Sequence, residues 1–140
     1  MAKTLQELTQ QKNILLVGNS VEILQHNLKD KIESYDTIVR FGQGYPRKEN
    51  EDRIGNRTDI WVTGYLRQNY YRMFPGALVL HNRCRIHLDK PAKAGEPKFP
   101  HITMFTEDEI RKINKDLGVV EREPLGWRPS AGFWAILFFV

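Results

Sequence analysis

The chain has 140 residues, of which 41% are hydrophobic and 27% charged, so it can bury the core of one globular domain. This composition excludes an extensively disordered chain, and the net charge of +4 comes from scattered basic residues, which favours a solvated basic surface over a nucleic-acid groove. The single cysteine, Cys84, excludes an internal disulfide and a cysteine-based zinc site, and it is typical of a reducing compartment.

The N-terminal residues 1–12 are a polar lead-in, with Leu5 and Leu8 at helical spacing. They contain neither a signal peptide nor a membrane anchor. We therefore expect a soluble, cytoplasmic protein with no membrane partner, in which residues 13–140 form a single α/β domain.

A βαβ unit is predicted directly after the lead-in. The uninterrupted apolar run Ile14–Val17 is typical of a strand buried on both faces, and Gly18 ends it. Four apolar residues then recur at helical spacing, namely Ile23, Leu24, Leu28 and Ile32. They predict one amphipathic helix, and the next apolar run, Thr37–Phe41, is a second strand that ends at Gly42.

The turn formed by Gly18, Asn19 and Ser20 joins the first strand to that helix. Unpaired backbone N–H groups at a helix start attract anions, which predicts a phosphate-bearing ligand here. The residues fit neither a dinucleotide fingerprint nor a Walker loop. The alternative is that Gly18 only permits the turn while Asn19 and Ser20 cap the helix.

Three further strands are predicted from short apolar runs: Ile60–Thr63, which ends at Gly64, then Ala77–Leu80 and His101–Phe105. Three connections accompany these strands: a long loop at Gln43–Thr58 before the first, a helix at Tyr65–Phe74 before the second and an exposed excursion at His87–Pro100 before the third. Alternating strands and helices predict a Rossmann-like parallel sheet of about five strands with helices on both faces. Ligands of such sheets bind beyond the carboxyl ends of the strands.

Two helices are predicted near the end of the chain. Thr106 and Glu109 form a capping box at the start of the first helix, which ends at Gly118. The second helix follows Pro129 and Ser130, and its small residues Ala131 and Gly132 let a ligand approach the N-terminal amides. We expect a second anion-facing helix start at this point.

This last helix is apolar on every side, from Phe133 to Val140. An exposed helix of this kind needs a cover. We therefore expect further polypeptide after Val140. The alternative is a C-terminal element buried in the core of a complete small domain.

The motifs resemble those of the animal-type sialyltransferases. Four segments match the long motif of that family: L-V-G-N-S at 16–20, Y-D at 35–36, V-R-F-G at 39–42 and R-I-G-N-R-T-D at 53–59. Its short motif, P-S-[ST]-G before an apolar helix, is matched by Pro129–Phe133. The resemblance extends over residues 13–140, with both motifs in the family's order.

The resemblance implies a glycosyltransferase that moves a sugar from a nucleotide donor, CMP-sialic acid or a related compound, to a glycan or other hydroxyl acceptor by inverting displacement. Asn19 and Ser20 would approach the phosphate or ribose, and the turn from Ser130 to Gly132 would hold the phosphate or sugar carboxylate. Arg57 and Thr58 would brace the loop. The substrate-binding residues predicted from the motifs and strand ends are Gly18, Asn19, Ser20, Arg40, Gly42, Thr63, Gly64, Ser130, Ala131 and Gly132.

The chain departs from the family pattern at three positions. Gly42 replaces an asparagine, so one expected ribose contact is missing, and Ala131 replaces a serine or threonine. Ile14 replaces a bridging cysteine, as expected of a cytoplasmic version. The family's later motifs, which carry the histidine taken as general base, lie beyond the position equivalent to Val140.

The catalytic base is therefore not identified in the sequence. His81 is the one histidine expected at the ligand edge, and a structural role is the alternative. The donor is a substrate, and neither a cofactor nor a metal is expected, since no Asp-x-Asp pair or histidine cluster occurs. Two other functions stay open: a cytoplasmic or viral sugar transferase acting on nucleic acid, and a non-catalytic nucleotide-binding module.

Overall fold

The structure is a computed structural model that describes residues 4–42, 47–63, 76–81, 102–118 and 130–140. The predicted helix at Tyr65–Phe74, the excursion at His87–Pro100 and the predicted site residue Gly64 lie outside these ranges. Within them, no helix is long and apolar enough to cross a membrane.

Within these ranges, five parallel strands form one sheet in the order β1-β2-β3-β4-β5. Their bounds are Ile14–Val17 (β1), Thr37–Phe41 (β2), Ile60–Thr63 (β3), Leu78–His81 (β4) and Ile102–Thr103 (β5). The first three have the bounds predicted from their apolar runs, while β4 starts one residue later and β5 is shorter than predicted. Because every neighbouring pair is parallel, all carboxyl ends lie at one edge of the sheet.

The two faces of the sheet are covered by different helices. Side chains alternate along each strand, so Val39 and Phe41 of β2 join one buried cluster and Ile38 joins the other. The first cluster includes residues of α1 (Leu5–Thr9), α4 (Glu107–Asp116) and α5 (Ala131–Phe139). The second includes residues of α2 (Lys29–Glu33) and α3 (Glu51–Ile54). The predicted α/β class is confirmed.

The lead-in contributes to the core. Thr4 caps α1 in a capping box with Glu7, and Leu8 is only 3% exposed. The buried hydroxyl of Thr37 on β2 donates to the Leu8 carbonyl at 3.0 Å. α1 therefore packs on the sheet that starts after it.

The prediction of a single helix after Gly18 is wrong. The segment instead forms a five-residue 3₁₀ helix, Val21–Gln25, and then α2. The Leu28 amide donates to the Arg53 carbonyl at 2.7 Å, and the Leu24 carbonyl accepts from the Arg53 guanidinium at 2.7 Å. Contacts with α3 thus take the donor and acceptor that would have continued one helix. The apolar residues nevertheless pack on one side as predicted.

The predicted loop Gln43–Thr58 contains helical structure. A 3₁₀ helix at Lys48–Asn50 leads directly into α3, whose last turn ends at Gly55 with φ 67° and ψ 174°. The negative charges of Glu51 and Asp52 in its first turn interact favourably with the helix dipole. The prediction of an irregular loop underestimated these short elements because three to four residues carry little periodicity.

Both predicted C-terminal helices are present. Thr106 caps α4, and the predicted capping box with Glu109 is confirmed. Hydrogen bonds from Thr106 lower the pKa of the Glu109 carboxyl. Gly118 follows the end of α4 with φ 66°. α5 begins after Ser130, and Trp134 buries its ring against Phe105, with 5.5 Å between the ring centroids.

Candidate functional site

The turn after β1 lies open at the carboxyl edge of the sheet. Gly18, Asn19 and Ser20 are all exposed, and a side chain at Gly18 would meet no atom within 4 Å. The Ser20 hydroxyl accepts from the Glu22 amide at 3.3 Å and so caps the 3₁₀ helix. That helix is short, so its dipole is weaker than the dipole of the longer amphipathic helix that was predicted. The turn offers space and backbone polarity.

Gly42 follows β2 at the same edge, with φ 46°. Its amide donates to the Val62 carbonyl at 2.9 Å, and its carbonyl accepts from the indole nitrogen of Trp61 at 2.9 Å. Trp61 is 1% exposed. The role of Trp61 in fixing this glycine was not predicted. The sequence signal for it was a tryptophan inside a short apolar strand, where its indole N–H needs an acceptor.

A polar row continues along the edge. The register pairs Thr63 with His81 and His81 with Thr103, so the last residues of β3, β4 and β5 are neighbours. Thr63 and His81 are 2% and 1% exposed. The prediction placed Thr63 and His81 at the ligand edge but missed the alignment of Thr103 with them.

Most of the buried polar residues of the strands share one face of the sheet, and Thr37 lies on the other. Strand register and side-chain alternation place four polar or amphipathic residues on that face: Arg40, Trp61, Thr63 and His81. The opposite face of the same strands is apolar, with Val39, Phe41, Ile60, Val62 and Leu80. Strands buried in a parallel sheet are usually apolar on both faces, so these four residues depart from the usual pattern, while Val17 and Ile38 on the same face are apolar.

Arg40 lies buried within this polar face, with no exposed area. Its Nε donates to the Arg57 carbonyl at 3.1 Å and its Nη2 to the Ile54 carbonyl at 2.8 Å, which places positive charge at the C-terminus of α3. Burial lowers the pKa of Arg40 to about 10, and the nearby Glu33 carboxylate raises it in part. These contacts support α3, while ligand binding by Arg40 stays a prediction.

Two charged residues, Arg57 and Asp59, join the loop before β3 to the sheet through hydrogen bonds. The Asp59 carboxylate accepts from the Ile38 amide at 2.8 Å and from Arg57 Nε at 3.2 Å. The Arg57 guanidinium also donates to the carbonyls of Glu33 and Tyr35. These contacts of the Arg57 side chain all join parts of the fold, in agreement with the bracing role implied by the motif.

The second predicted anion-facing turn begins α5. The Ser130 hydroxyl accepts from the Phe133 amide at 3.2 Å, which makes Ser130 the N-cap. The amides of Ala131 and Gly132 belong to the first turn, where the helix supplies no acceptor. α5 packs on the apolar face of β3, whereas the 3₁₀ helix after Ser20 packs on the polar face. The two turns thus start helices on opposite faces of one sheet.

In the part of the chain that the structure describes, no group of three or more histidine, cysteine, aspartate or glutamate side chains could hold a metal ion. No protein-family model matches the sequence, and no curated protein matches it significantly.

Proposed function

We propose that this chain is the donor-binding part of a sialyltransferase-like glycosyltransferase, built on a Rossmann-like sheet of five strands. The observation that supports it most is the succession of glycine and polar residues where β1, β2, β3 and β4 end: Gly18, Asn19, Ser20, Gly42, Thr63 and His81. Ligands of parallel α/β sheets bind at this edge.

The donor would lie across the carboxyl edge of the sheet. The exposed turn at Asn19 and Ser20 would bind the phosphate or ribose, and the free amides of Ala131 and Gly132 would bind the sugar carboxylate or phosphate. A nucleotide sugar has negative charge at more than one position, so it suits two amide-lined turns. We assign donor binding to these residues and leave the catalytic base unassigned.

The reaction would be an inverting displacement in which the acceptor hydroxyl attacks the anomeric carbon and the nucleotide leaves. Stabilising the leaving phosphate is the part of this chemistry that backbone amides can supply. The acceptor is a glycan or another hydroxyl compound. We place the reaction in the cytoplasm because the chain has a single cysteine, Cys84.

Calorimetric titration tests donor binding directly. CMP and CMP-sialic acid are expected to bind. UDP-sugars are titrated as the alternative donors. Replacing Asn19 with alanine should weaken CMP binding about tenfold, because one polar contact is lost. Asn19 is exposed, so the thermal midpoint should stay unchanged.

Asn27→Ala is the matched control, since Asn27 is an equally exposed asparagine between the 3₁₀ helix and α2. It should bind CMP like the wild type. If no nucleotide binds the wild-type chain, the proposed function is wrong; if both variants lose affinity equally, the turn at Asn19 is not the site.

A further inference from the structure

The turn that follows β1 contains an asparagine next to a small residue. Asn19 precedes Ser20, and every other asparagine of the chain precedes isoleucine, leucine, glutamate, arginine, tyrosine or lysine. Those larger side chains crowd the backbone nitrogen that follows the asparagine. An uncrowded nitrogen can attack the asparagine side chain, and this reaction is one reason why asparagine is thermolabile.

Both reacting groups of Asn19 and Ser20 are available in the fold. The two residues are exposed, and within the described ranges the Asn19 carboxamide makes no hydrogen bond and the Ser20 amide donates none. The Ser20 hydroxyl caps the 3₁₀ helix by accepting from the Glu22 amide, which leaves the Ser20 amide itself unused. A side chain at Gly18 would meet no atom within 4 Å, so the turn has room to change shape.

Asn27 provides a contrast within the same segment. It is also exposed, but the next amide, that of Leu28, donates to the Arg53 carbonyl at 2.7 Å. Attack by the Leu28 nitrogen would require this hydrogen bond to break. The fold therefore protects Asn27 and leaves Asn19 open to the reaction.

We propose that Asn19 is a site of spontaneous deamidation. The Ser20 backbone nitrogen attacks Cγ of Asn19 and gives up its proton, while the bond between Cγ and Nδ2 breaks and ammonia leaves with that proton. Water then opens the cyclic succinimide at either carbonyl, which gives aspartate or isoaspartate. The reaction consumes water and releases ammonia in equal amounts, and it needs no other reactant.

The modification places a carboxylate in this turn. The new negative charge would repel a donor phosphate bound there, so deamidation acts as a slow and irreversible loss of donor affinity. This effect on affinity rests on the proposed function, whereas the modification itself does not.

Peptide mass spectrometry of the folded chain, incubated in mildly alkaline buffer, tests the modification. A gain of about 1 Da is expected at Asn19, about tenfold faster than at Asn27. Ser20→Thr keeps the capping hydroxyl but adds a methyl group beside the nitrogen, so deamidation should slow about threefold.

Urea distinguishes the contribution of the fold from that of the local sequence. Unfolding should accelerate the reaction at Asn27, because it frees the Leu28 amide, and it should leave the rate at Asn19 nearly unchanged. No mass gain at Asn19 in the folded chain, or equal rates at Asn19 and Asn27 before unfolding, would overturn the proposal.

The effect of the new charge is measured separately, by titrating CMP into Asn19→Asp and Asn19→Ala. Asn19→Asp should bind CMP about tenfold more weakly than Asn19→Ala, because it adds a repulsive charge to the lost contact. Equal affinities of the two variants would overturn the effect on affinity. A wild-type chain that binds no nucleotide would instead contradict the proposed function, and deamidation at Asn19 would still be seen.

Discussion

Replacing Arg40 with methionine is expected to lower the free energy of unfolding by about 3 kcal/mol, the largest effect of any single substitution considered. Methionine fills similar space but donates no hydrogen bond. The buried carbonyl of Ile54 and the partly buried carbonyl of Arg57 would then lose their donors, and the C-terminus of α3 would lose its positive charge. Urea unfolding followed by tryptophan fluorescence measures the change.

Two further variants are expected to lose less stability than Arg40→Met. Arg40→Lys keeps the charge but cannot bridge two carbonyls with a planar fork, so an intermediate loss is expected. Arg53→Ala removes an exposed arginine that also donates to a backbone carbonyl, that of Leu24, and it should cost less than about 1 kcal/mol. Wild-type stability in Arg40→Met would show that Arg40 does not hold α3 in place.

Gly55→Ala should destabilise the fold by about 2 kcal/mol. With φ 67° and ψ 174°, Gly55 adopts a backbone conformation that is essentially restricted to glycine. An added Cβ would also lie 2.8 Å from Cδ of Glu33, whose carboxylate accepts from the Asn56 amide at 3.1 Å. The side chain of Glu33 would have to move and give up that hydrogen bond.

Gly18→Ala is the matched control for this substitution. Gly18 does not have a positive φ, and its added Cβ would meet no atom within 4 Å. Its unfolding free energy should therefore stay within about 0.5 kcal/mol of the wild type. Equal losses in the two variants would contradict the role of the Gly55 geometry, because the lower backbone entropy of the unfolded chain should stabilise both alanine variants.

The sheet could be predicted from the sequence because each strand is a short apolar run closed by a turn residue. Ile14–Val17 and Thr37–Phe41 show this most clearly, since Gly18 and Gly42 mark their ends. α4 was equally predictable, because Thr106 and Glu109 form a purely local capping box.

The break between the 3₁₀ helix and α2 could not be predicted in the same way. It depends on Arg53, which lies far along the chain and bonds to both Leu24 and Leu28. Helical spacing identifies the side that is buried, but it contains no information about a distant group that replaces helix hydrogen bonds. The burial of Arg40 has the same origin, since its acceptors Ile54 and Arg57 belong to the following connection.

The candidate site was predictable where it depends on strand ends. Thr63 and His81 are neighbours because parallel register aligns the last residues of β3 and β4. The hydrogen bond from the Trp61 indole to the Gly42 carbonyl was not predictable, because it depends on the orientation of the Trp61 side chain in the fold. The sequence pattern also did not determine the strand order. That order places β1, and the turn after it, at one edge of the sheet.

The most direct measurement of donor binding at the carboxyl edge is an amide chemical-shift titration of the ¹⁵N-labelled chain with CMP and then CMP-sialic acid. With CMP, we predict saturable shifts at Gly18, Asn19, Ser20 and Gly42. With CMP-sialic acid, we predict additional shifts at Ala131 and Gly132. Saturable shifts confined to the amides of α4, or none at all with either ligand, would contradict a nucleotide-sugar site at this edge.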